Sequence, residues 1–169
     1  VVKQALEYMW MFGEVAISER RGFERRYALA EQVIPAEVLA NPVPRDEAIR
    51  ELVRRAARAS GVGTAADFAD YYRLGDRAAV LGAINELVSD GELVPVVRGW
   101  ERQGRPLPAW VHRDASLPRS IDVATVLTPF DPVVWFRDRA ERLFDFTSSI
   151  EIYTPEAKRE FGYYSLPVL

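Results

Sequence analysis

The chemistry that this sequence could support depends mainly on arginine side chains. Lysine and arginine together number 22, and only Lys3 and Lys158 are lysines. The planar guanidinium of arginine suits bidentate contact with phosphate, although arginine-biased codon usage is a simpler cause of the excess. The densest group is the run ERRGFERR at residues 19–26, which contains Arg20, Arg21, Arg25 and Arg26.

Two interpretations of this run stay open. At the tip of a hairpin, its arginines would hold DNA phosphates while Phe23 stacks on a base or wedges between bases. Alternatively, Glu19 and Glu24 pair with arginines across the two strands and leave an ordinary solvated hairpin. A second basic pair, Lys158 and Arg159, lies in another predicted hairpin loop and is open to the same two interpretations.

Other kinds of site find little support in the sequence. There is no cysteine and one histidine, which excludes disulfides, thiolate metal sites and multi-histidine sites. His112 lies in a predicted strand near Trp110, which is more typical of a structural histidine than of a Ser-His-Asp triad. Asp131 could form a site with Arg137 and Arg139, but the sequence favours a structural role, in which Asp131 is a helix N-cap and forms an ion pair. With no glycine-rich phosphate loop, neither a metal nor a small-molecule cofactor is predicted.

The composition is that of a soluble globular protein. The chain has 169 residues, 49% hydrophobic and 28% charged, which allows one or two small domains. A net charge of −3 argues against a strongly basic nucleic-acid binder but allows a local basic surface. No run is long enough to span a bilayer, and no signal-peptide pattern is present. We therefore expect a cytoplasmic protein with no membrane partner.

Two helices begin the framework that positions these residues. Thr64 followed by Asp67 is typical of a capping box, so a helix is predicted over residues 65–72. Asp76 is a good N-cap for a second helix over residues 77–89. The apolar residues of the second helix are spaced to form one buried face: Val80, Leu81, Ile84, Leu87 and Val88.

Strands are predicted after the second helix. Asp90 and Gly91 end that helix, and residues 92–97 then form a strand whose partner is residues 107–113, with a charged loop between them. A further helix at residues 45–60 precedes both, with an apolar face of Ile49, Leu52, Val53, Ala56 and Ala57. Three helices followed by a hairpin form the winged-helix pattern, in which the last helix usually contacts DNA.

The predicted recognition helix is poorly suited to DNA. Of its exposed residues, only Arg77 and Asn85 suit hydrogen bonds to base edges. Asp76, Glu86 and Asp90 would repel phosphate. Packing between repeated domains is therefore the favoured role of the helix, and Arg77 is its candidate DNA contact.

A helix and a hairpin also open the chain. The apolar residues of this helix share one face: Val2, Ala5, Leu6, Met9 and Phe12. The hairpin is predicted over residues 14–29, and the linker NPVP at residues 41–44 follows. We expect residues 1–40 to be the second half of a winged helix and residues 41–114 to be a complete one.

The pattern changes in the last third of the chain. A helix is predicted over residues 133–142, with Asp131 as its N-cap. Strands are predicted over residues 121–127, 149–153 and 161–169. Residues 115–169 are therefore expected to be a linker helix and the start of an antiparallel, barrel-like β unit, and the fold class is α+β. Because both chain ends interrupt apolar segments, we expect a piece of a longer protein.

Four stretches are similar to one known family. They are ERRYALAEQVIP, DFADYYRLGDRAAVLGAINELVSDGELVPV, LTPFDPVVWFRDRAERLFDF and IEIYTPEAKREFGYYSLPVL. Together they resemble the winged-helix crosslink-repair DNA glycosylases of the YcaQ/AlkZ type, over nearly the whole chain. The resemblance implies tandem winged helices in a concave DNA-binding body, with a β-barrel behind.

The family also implies an activity and a partner. Its members hydrolyse the N-glycosidic bond of alkylated or crosslinked bases, with a catalytic Gln-x-Gln or Gln-x-Asp motif near the protein's N-terminus. This chain has no such motif, because Gln4, Gln32 and Gln103 are isolated. The resemblance thus implies the DNA-binding portion of a repair glycosylase. It implies double-stranded DNA, contacted mainly at phosphates, as the partner, and no catalysis by this chain alone.

Two other functions stay open. A winged-helix transcription regulator would read an operator as a symmetric dimer. A structural winged-helix module would have no nucleic-acid partner. If the chain binds DNA, the candidate contacts are Arg20, Arg21, Arg25, Arg26, Arg77, Lys158 and Arg159.

Overall fold

The computed structural model of the protein describes residues 2–96, 100–102 and 105–168. The predicted α+β fold class is confirmed, since helices and small antiparallel sheets alternate along the chain. The chain divides into two compact units, unit 1 (Val1–Pro44) and unit 2 (Arg45–Leu169). Over the described ranges, no helix combines the length and apolarity that crossing a bilayer would require.

Unit 1 contains the predicted helix and hairpin. Helix α1 (Val2–Met11) is followed by Gly13, whose φ of +79° lies in the left-handed region that ends helices. The hairpin pairs β1 (Val15–Arg21) with β2 (Glu24–Leu29) in antiparallel register. Two helical turns follow, α2 (Ala30–Val33) and α3 (Ala36–Leu39).

The apolar face of α1 is not buried within this unit. No α1 residue is buried, and Val2 and Phe12 are 75% and 77% exposed. The physical reason is the width of the neighbouring surface. A two-stranded hairpin is too narrow to cover one whole face of a helix. Over residues 2–44, the part of this unit that the structure describes, only Val15 and Ala30 are buried hydrophobic residues.

Three helices form the frame of unit 2: α4 (Arg45–Ser60), α5 (Ala65–Tyr71) and α6 (Arg77–Ser89). All three begin and end within one residue of the predicted positions. The predicted caps are confirmed as well. The Thr64 hydroxyl accepts the Asp67 amide at 3.3 Å and the Asp67 carboxylate accepts the Thr64 amide at 2.8 Å, while Asp76 accepts the Ala79 amide at 3.0 Å.

The core of unit 2 lies between these helices. Its fully buried side chains include Val53, Phe68, Ile84 and Leu87. Leu81 is 47% exposed, so its predicted burial is wrong. The buried stripe of α6 runs through positions 80, 83, 84 and 87, and a residue at position 81 lies about 100° further round the helix.

A three-stranded antiparallel sheet closes unit 2, in the order β3 (Val62–Thr64), β7 (Ala109–His112), β4 (Leu93–Pro95). The predicted hairpin is confirmed as the pairing of β4 with β7. Between them lies a second short pair, β5 (Glu101–Arg102) with β6 (Arg105–Pro106). Residues 97–99 and 103–104 of the predicted strand and loop, including Gln103, lie outside the described residues.

The last helix starts later than predicted. Asp131 accepts the Val133 amide at 2.9 Å, but this closes a turn, and α7 (Arg137–Phe144) begins after Phe136. The left-handed backbone of Asp145, with a φ of +49°, follows the end of α7.

The three strands predicted for residues 121–168 are wrong for the described residues. Val126 and Val168 form one isolated antiparallel bridge, and a single 3-10 turn, η1 (Glu156–Lys158), lies between the expected strands. Residue 169, the last of the third predicted strand, lies outside the described residues. Two causes are visible in this segment. Pro167, which lies in the third predicted strand, cannot donate to a ladder. The side chain of Glu151 accepts from backbone amides that the same strand would need.

Gly63 is a position where a side chain does not fit. A Cβ there would lie 2.5 Å from Cε1 of the buried Phe68 ring. We expect Gly63→Ala to destabilise the protein by about 1–3 kcal/mol through overpacking. Gly82→Ala in α6 is the matched control, because a Cβ at this position meets no atom within 4 Å. This substitution should stabilise the protein by about 0.5–1 kcal/mol. Urea denaturation followed by circular dichroism measures the free energy of unfolding of both variants. If both substitutions change it in the same direction, the predicted clash at Gly63 is contradicted.

Candidate nucleic-acid interface

The arginine-rich run forms the outer part of the β1–β2 hairpin, as predicted. Gly22 makes the turn with a φ of +59°, and Phe23 stands fully exposed beside it. The antiparallel register brings the charged residues together in the pairs Glu19↔Arg26, Arg20↔Arg25 and Arg21↔Glu24.

The contacts at this tip agree with both interpretations of the run. Glu19 accepts from Nε of Arg21 at 2.9 Å and lies 3.8 Å from Arg26, as expected for a solvated hairpin. All three side chains are about half exposed, so each pair contributes at most about 1 kcal/mol and a phosphate can displace it. The guanidinium carbon of Arg25 lies 5.5 Å from the centre of the Trp10 ring in α1. The tip can therefore offer its guanidinium groups to an anion.

The acidic residues of α6 are paired with arginines of α4. Arg45 donates to Asp76 at 3.0 Å, and Arg50 contacts Asp90 and lies 3.5 Å from Glu86. This pairing reduces the repulsion of phosphate that the sequence predicted for these acids. Arg77 and Asn85 are exposed on the same helix.

The polar side of α4 carries an ion-pair network. Arg54 is 25% exposed and donates to Glu92 at 2.6 Å and to Glu51, while Arg55 donates to Glu51 at 2.7 Å. The Arg54 hydrogen bond is the main cause that lowers the pKa of Glu92, and the Arg55 hydrogen bond that of Glu51. Because these side chains tie α4 to the start of β4, they are structural groups.

Lys158 and Arg159 lie together in the loop that contains η1. Lys158 is exposed. Arg159 is half-buried, donates from Nε to the Thr154 carbonyl at 2.8 Å and stacks over the Tyr163 ring at 5.1 Å. Of the two predicted contacts, Lys158 is thus the one placed to reach a partner.

Glu151 organises this loop, and sequence reasoning missed it. Its buried carboxylate accepts the backbone amides of Glu160, Phe161 and Gly162 at 2.8–3.0 Å. These bonds, first the one from Glu160, lower the pKa of Glu151. The available signal was an acidic residue between Ile150 and Ile152, in an otherwise apolar segment.

The α7 arginines do not form the expected cap-and-ion-pair arrangement with Asp131. Arg139 is buried and donates to the Ser60 carbonyl at 2.8 Å, and its burial lowers its pKa. Arg142 donates to Asp67 at 2.5 Å. Arg139 thus anchors α7 to the end of α4, and Arg142 anchors it to the first turn of α5, which are structural roles.

A metal or histidine site finds no support in this part of the molecule. His112 is buried in β7, where its Nδ1 accepts the Asp114 amide at 3.2 Å. Among the residues that the structure describes, no three histidine, cysteine, aspartate or glutamate side chains cluster in a way that could hold a metal ion.

The lowered pKa of Glu151 predicts an acid-sensitive loop. Since the folded-state pKa lies below the ordinary value of 4.5, the carboxylate stabilises the loop above that value. This contribution is lost as the pH falls below 4.5 and through the folded-state pKa. The positive charge of Arg159 also lowers the pKa of Glu151. Amide NMR signals of residues 160–162 should shift in this acid range, and Glu151→Gln should remove that transition; an unchanged transition in the variant would contradict the assignment.

The structure is that of an α+β protein with an exposed arginine-rich hairpin tip in unit 1 and an exposed lysine, Lys158, in a loop of unit 2. A comparison with protein families then gives a match over residues 1–169 to the model described as DNA glycosylase AlkZ-like. The chain belongs to the AlkZ-like DNA glycosylase family, as its sequence resemblance predicted. This membership supports a role in DNA repair, with DNA as the partner. No solved structure matches the chain with significance.

Proposed function

We propose that this chain is the DNA-binding portion of a repair glycosylase that excises alkylated or crosslinked bases by N-glycosidic hydrolysis. Family membership supports the glycosylase class. The observation that carries the DNA-binding part is the β1–β2 hairpin tip. It gathers Arg20, Arg21, Arg25 and Arg26 around a fully exposed Phe23, in a chain whose net charge is otherwise negative.

The same proposal includes the domain organisation. Residues 1–40 are taken as the second half of a winged helix, residues 41–114 as a complete one, and residues 115–169 as the segment that contains α7. The chain order α4, β3, α5, α6, β4, β7, with β3 and β4 on either side of β7 in the sheet, supports the middle assignment, with β5 and β6 as its wing.

DNA is contacted mainly through phosphates in this proposal. The hairpin arginines are the principal contacts, with Lys158, Arg159 and Arg77 as further ones. Contacts to phosphate fix position without reading sequence, so binding should depend strongly on salt and weakly on sequence. Fluorescence anisotropy with unrelated duplexes, across a salt series, tests this directly. Affinities that differ by orders of magnitude between unrelated duplexes would contradict it.

A transcription regulator is the second candidate function. The observation in its favour is the pairing of Asp76, Glu86 and Asp90 with arginines of α4, which leaves Arg77 and Asn85 exposed on a less repulsive helix. Such a protein would bind a two-fold symmetric site as a dimer. Selection of duplexes from a random pool, with the mass of the complex measured by light scattering, separates the two functions.

We expect the 169-residue chain alone to release no alkylated base from DNA. Hydrolysis needs a group that positions the attacking water, and the sequence lacks the Gln-x-Gln or Gln-x-Asp motif of the family. The measurement is base release from alkylated duplex at stoichiometric protein, with chromatographic detection of the free base. Release by a preparation free of other glycosylases would show that residues of this chain perform the chemistry.

A further inference from the structure

Three successive backbone N–H groups converge on one buried carboxylate in unit 2. Glu160 donates to both oxygens of Glu151 at 3.0 Å, and Phe161 and Gly162 donate to Oε2 at 2.8 and 3.0 Å. Consecutive amides in this arrangement form a concave site for an anion. The φ of +103° at Gly162 gives the third amide a backbone conformation that other residues rarely adopt.

The carboxylate closes a loop that has no strand ladder to hold it. The Thr154 amide donates to the Glu151 carbonyl at 2.9 Å, and Arg159 donates to the Thr154 carbonyl, so the loop is tied at both ends. Between these ties, η1 places the exposed Lys158 on the outside. The conformation of the loop therefore depends on a side chain that itself points away from solvent.

We propose that Glu151 is a positioning residue for DNA binding, which holds residues 160–162 and thereby presents Lys158 to a phosphate. The proposal rests on the function proposed above. A loop already in its bound conformation loses less conformational entropy on association than one that must be ordered by its partner. Without the carboxylate, the three amides lose their common acceptor and the loop must be ordered by the DNA.

A double-mutant cycle on DNA affinity tests this role. Glu151→Gln, Lys158→Ala and the double variant are titrated with a non-specific duplex across salt concentrations. Each single variant should weaken binding about 3- to 10-fold and lower the salt slope by about one, as expected for one lost phosphate contact. The double variant should show no further loss, because both changes remove the same contact.

The matched control is Glu156→Gln. Glu156 is an exposed acid on η1 and does not touch the three amides. Its neutralisation removes the same negative charge as Glu151→Gln, so it should leave DNA affinity unchanged or raise it slightly. If Glu151→Gln weakens DNA binding and Glu156→Gln does not, the loss arises from the changed position of the loop and not from the changed charge.

Several results would overturn the proposal. The first is additive effects of the two substitutions in the cycle. The second is an unchanged salt slope in Glu151→Gln, and the third is tighter DNA binding by this variant through the amides that the carboxylate no longer occupies. Hydrogen exchange of amides 160–162 must also quicken in Glu151→Gln. If that variant does not fold, Gly162→Ala loosens the third amide without changing charge and should show the same non-additivity with Lys158→Ala. If the unaltered chain does not bind DNA at all, the proposed function is overturned as well. If it binds DNA and Glu151→Gln shows the same salt slope as the unaltered chain, this inference alone is overturned.

Discussion

Replacing Asp67 with asparagine is expected to destabilise the protein by about 3–5 kcal/mol, the range found when one partner of a buried ion pair is removed. The Asp67 side chain is fully buried, and each of its oxygens has a partner. One accepts the Thr64 amide at 2.8 Å and the other accepts from Arg142 at 2.5 Å. Asparagine keeps the size of the side chain but leaves Arg142, and the neighbouring Arg139, without their counter-ion.

Asp76→Asn is the matched control for this prediction. Asp76 is the N-cap of α6 and, like Asp67, contacts an arginine, in this case Arg45, but it is exposed. Asparagine caps helices about as well as aspartate, and exposed pairs contribute at most about 1 kcal/mol. Guanidinium denaturation followed by circular dichroism should therefore separate the two variants by at least about 2 kcal/mol. Equal losses would show that burial adds nothing to the Asp67–Arg142 pair.

Local signals explain what the sequence could predict. Capping at Thr64 and Asp76 depends on residues three positions apart, and the apolar spacing of α4 depends on one face of one helix. These interactions are complete within a few residues, so their elements were placed within one residue. The family resemblance was equally visible, because it depends on runs of sequence alone.

Interactions between distant segments explain what was missed. Arg142 and Asp67 are 75 positions apart, and no periodicity indicates that they meet. The strands expected around residues 149–153 and 161–168 were inferred from apolar composition. That composition does not reveal that the Glu151 carboxylate accepts hydrogen bonds from the backbone amides of residues 160–162.

The candidate interface was predictable only as a set of residues. The sequence placed Arg20, Arg21, Arg25 and Arg26 in one hairpin, and the register confirms that they lie together. It gave no sign that Arg159 is held by Thr154 and Tyr163, or that arginines of α4 neutralise the acids of α6. Side-chain contacts of this kind depend on how the elements pack, so availability for a partner has to be read from the structure.

Changing Arg21 and Arg25 together to alanine is expected to weaken binding to a non-specific duplex about 10- to 100-fold at low salt. A hydrogen bond contributes about 0.5–1.5 kcal/mol net, so two lost contacts correspond to a loss of about this size. Loss of two phosphate contacts should also lower the salt slope by about two. Lys158→Ala with Arg159→Ala should lower the slope by about one, because Arg159 is already engaged within its loop. Arg77→Ala with Asn85→Ala should have the smallest effect.

The control for total charge is Arg113→Ala with Arg119→Ala, which removes two exposed arginines outside the hairpin and the loop. This variant loses the same charge as the hairpin variant, so a general electrostatic attraction would weaken both equally. A hairpin that contacts phosphate directly predicts a clearly larger loss for Arg21 and Arg25. If instead the Arg77 and Asn85 change costs most, and the hairpin and loop changes cost nothing, helix α6 is the DNA reader. Base-edge contacts from one helix would then favour the transcription regulator over the repair protein.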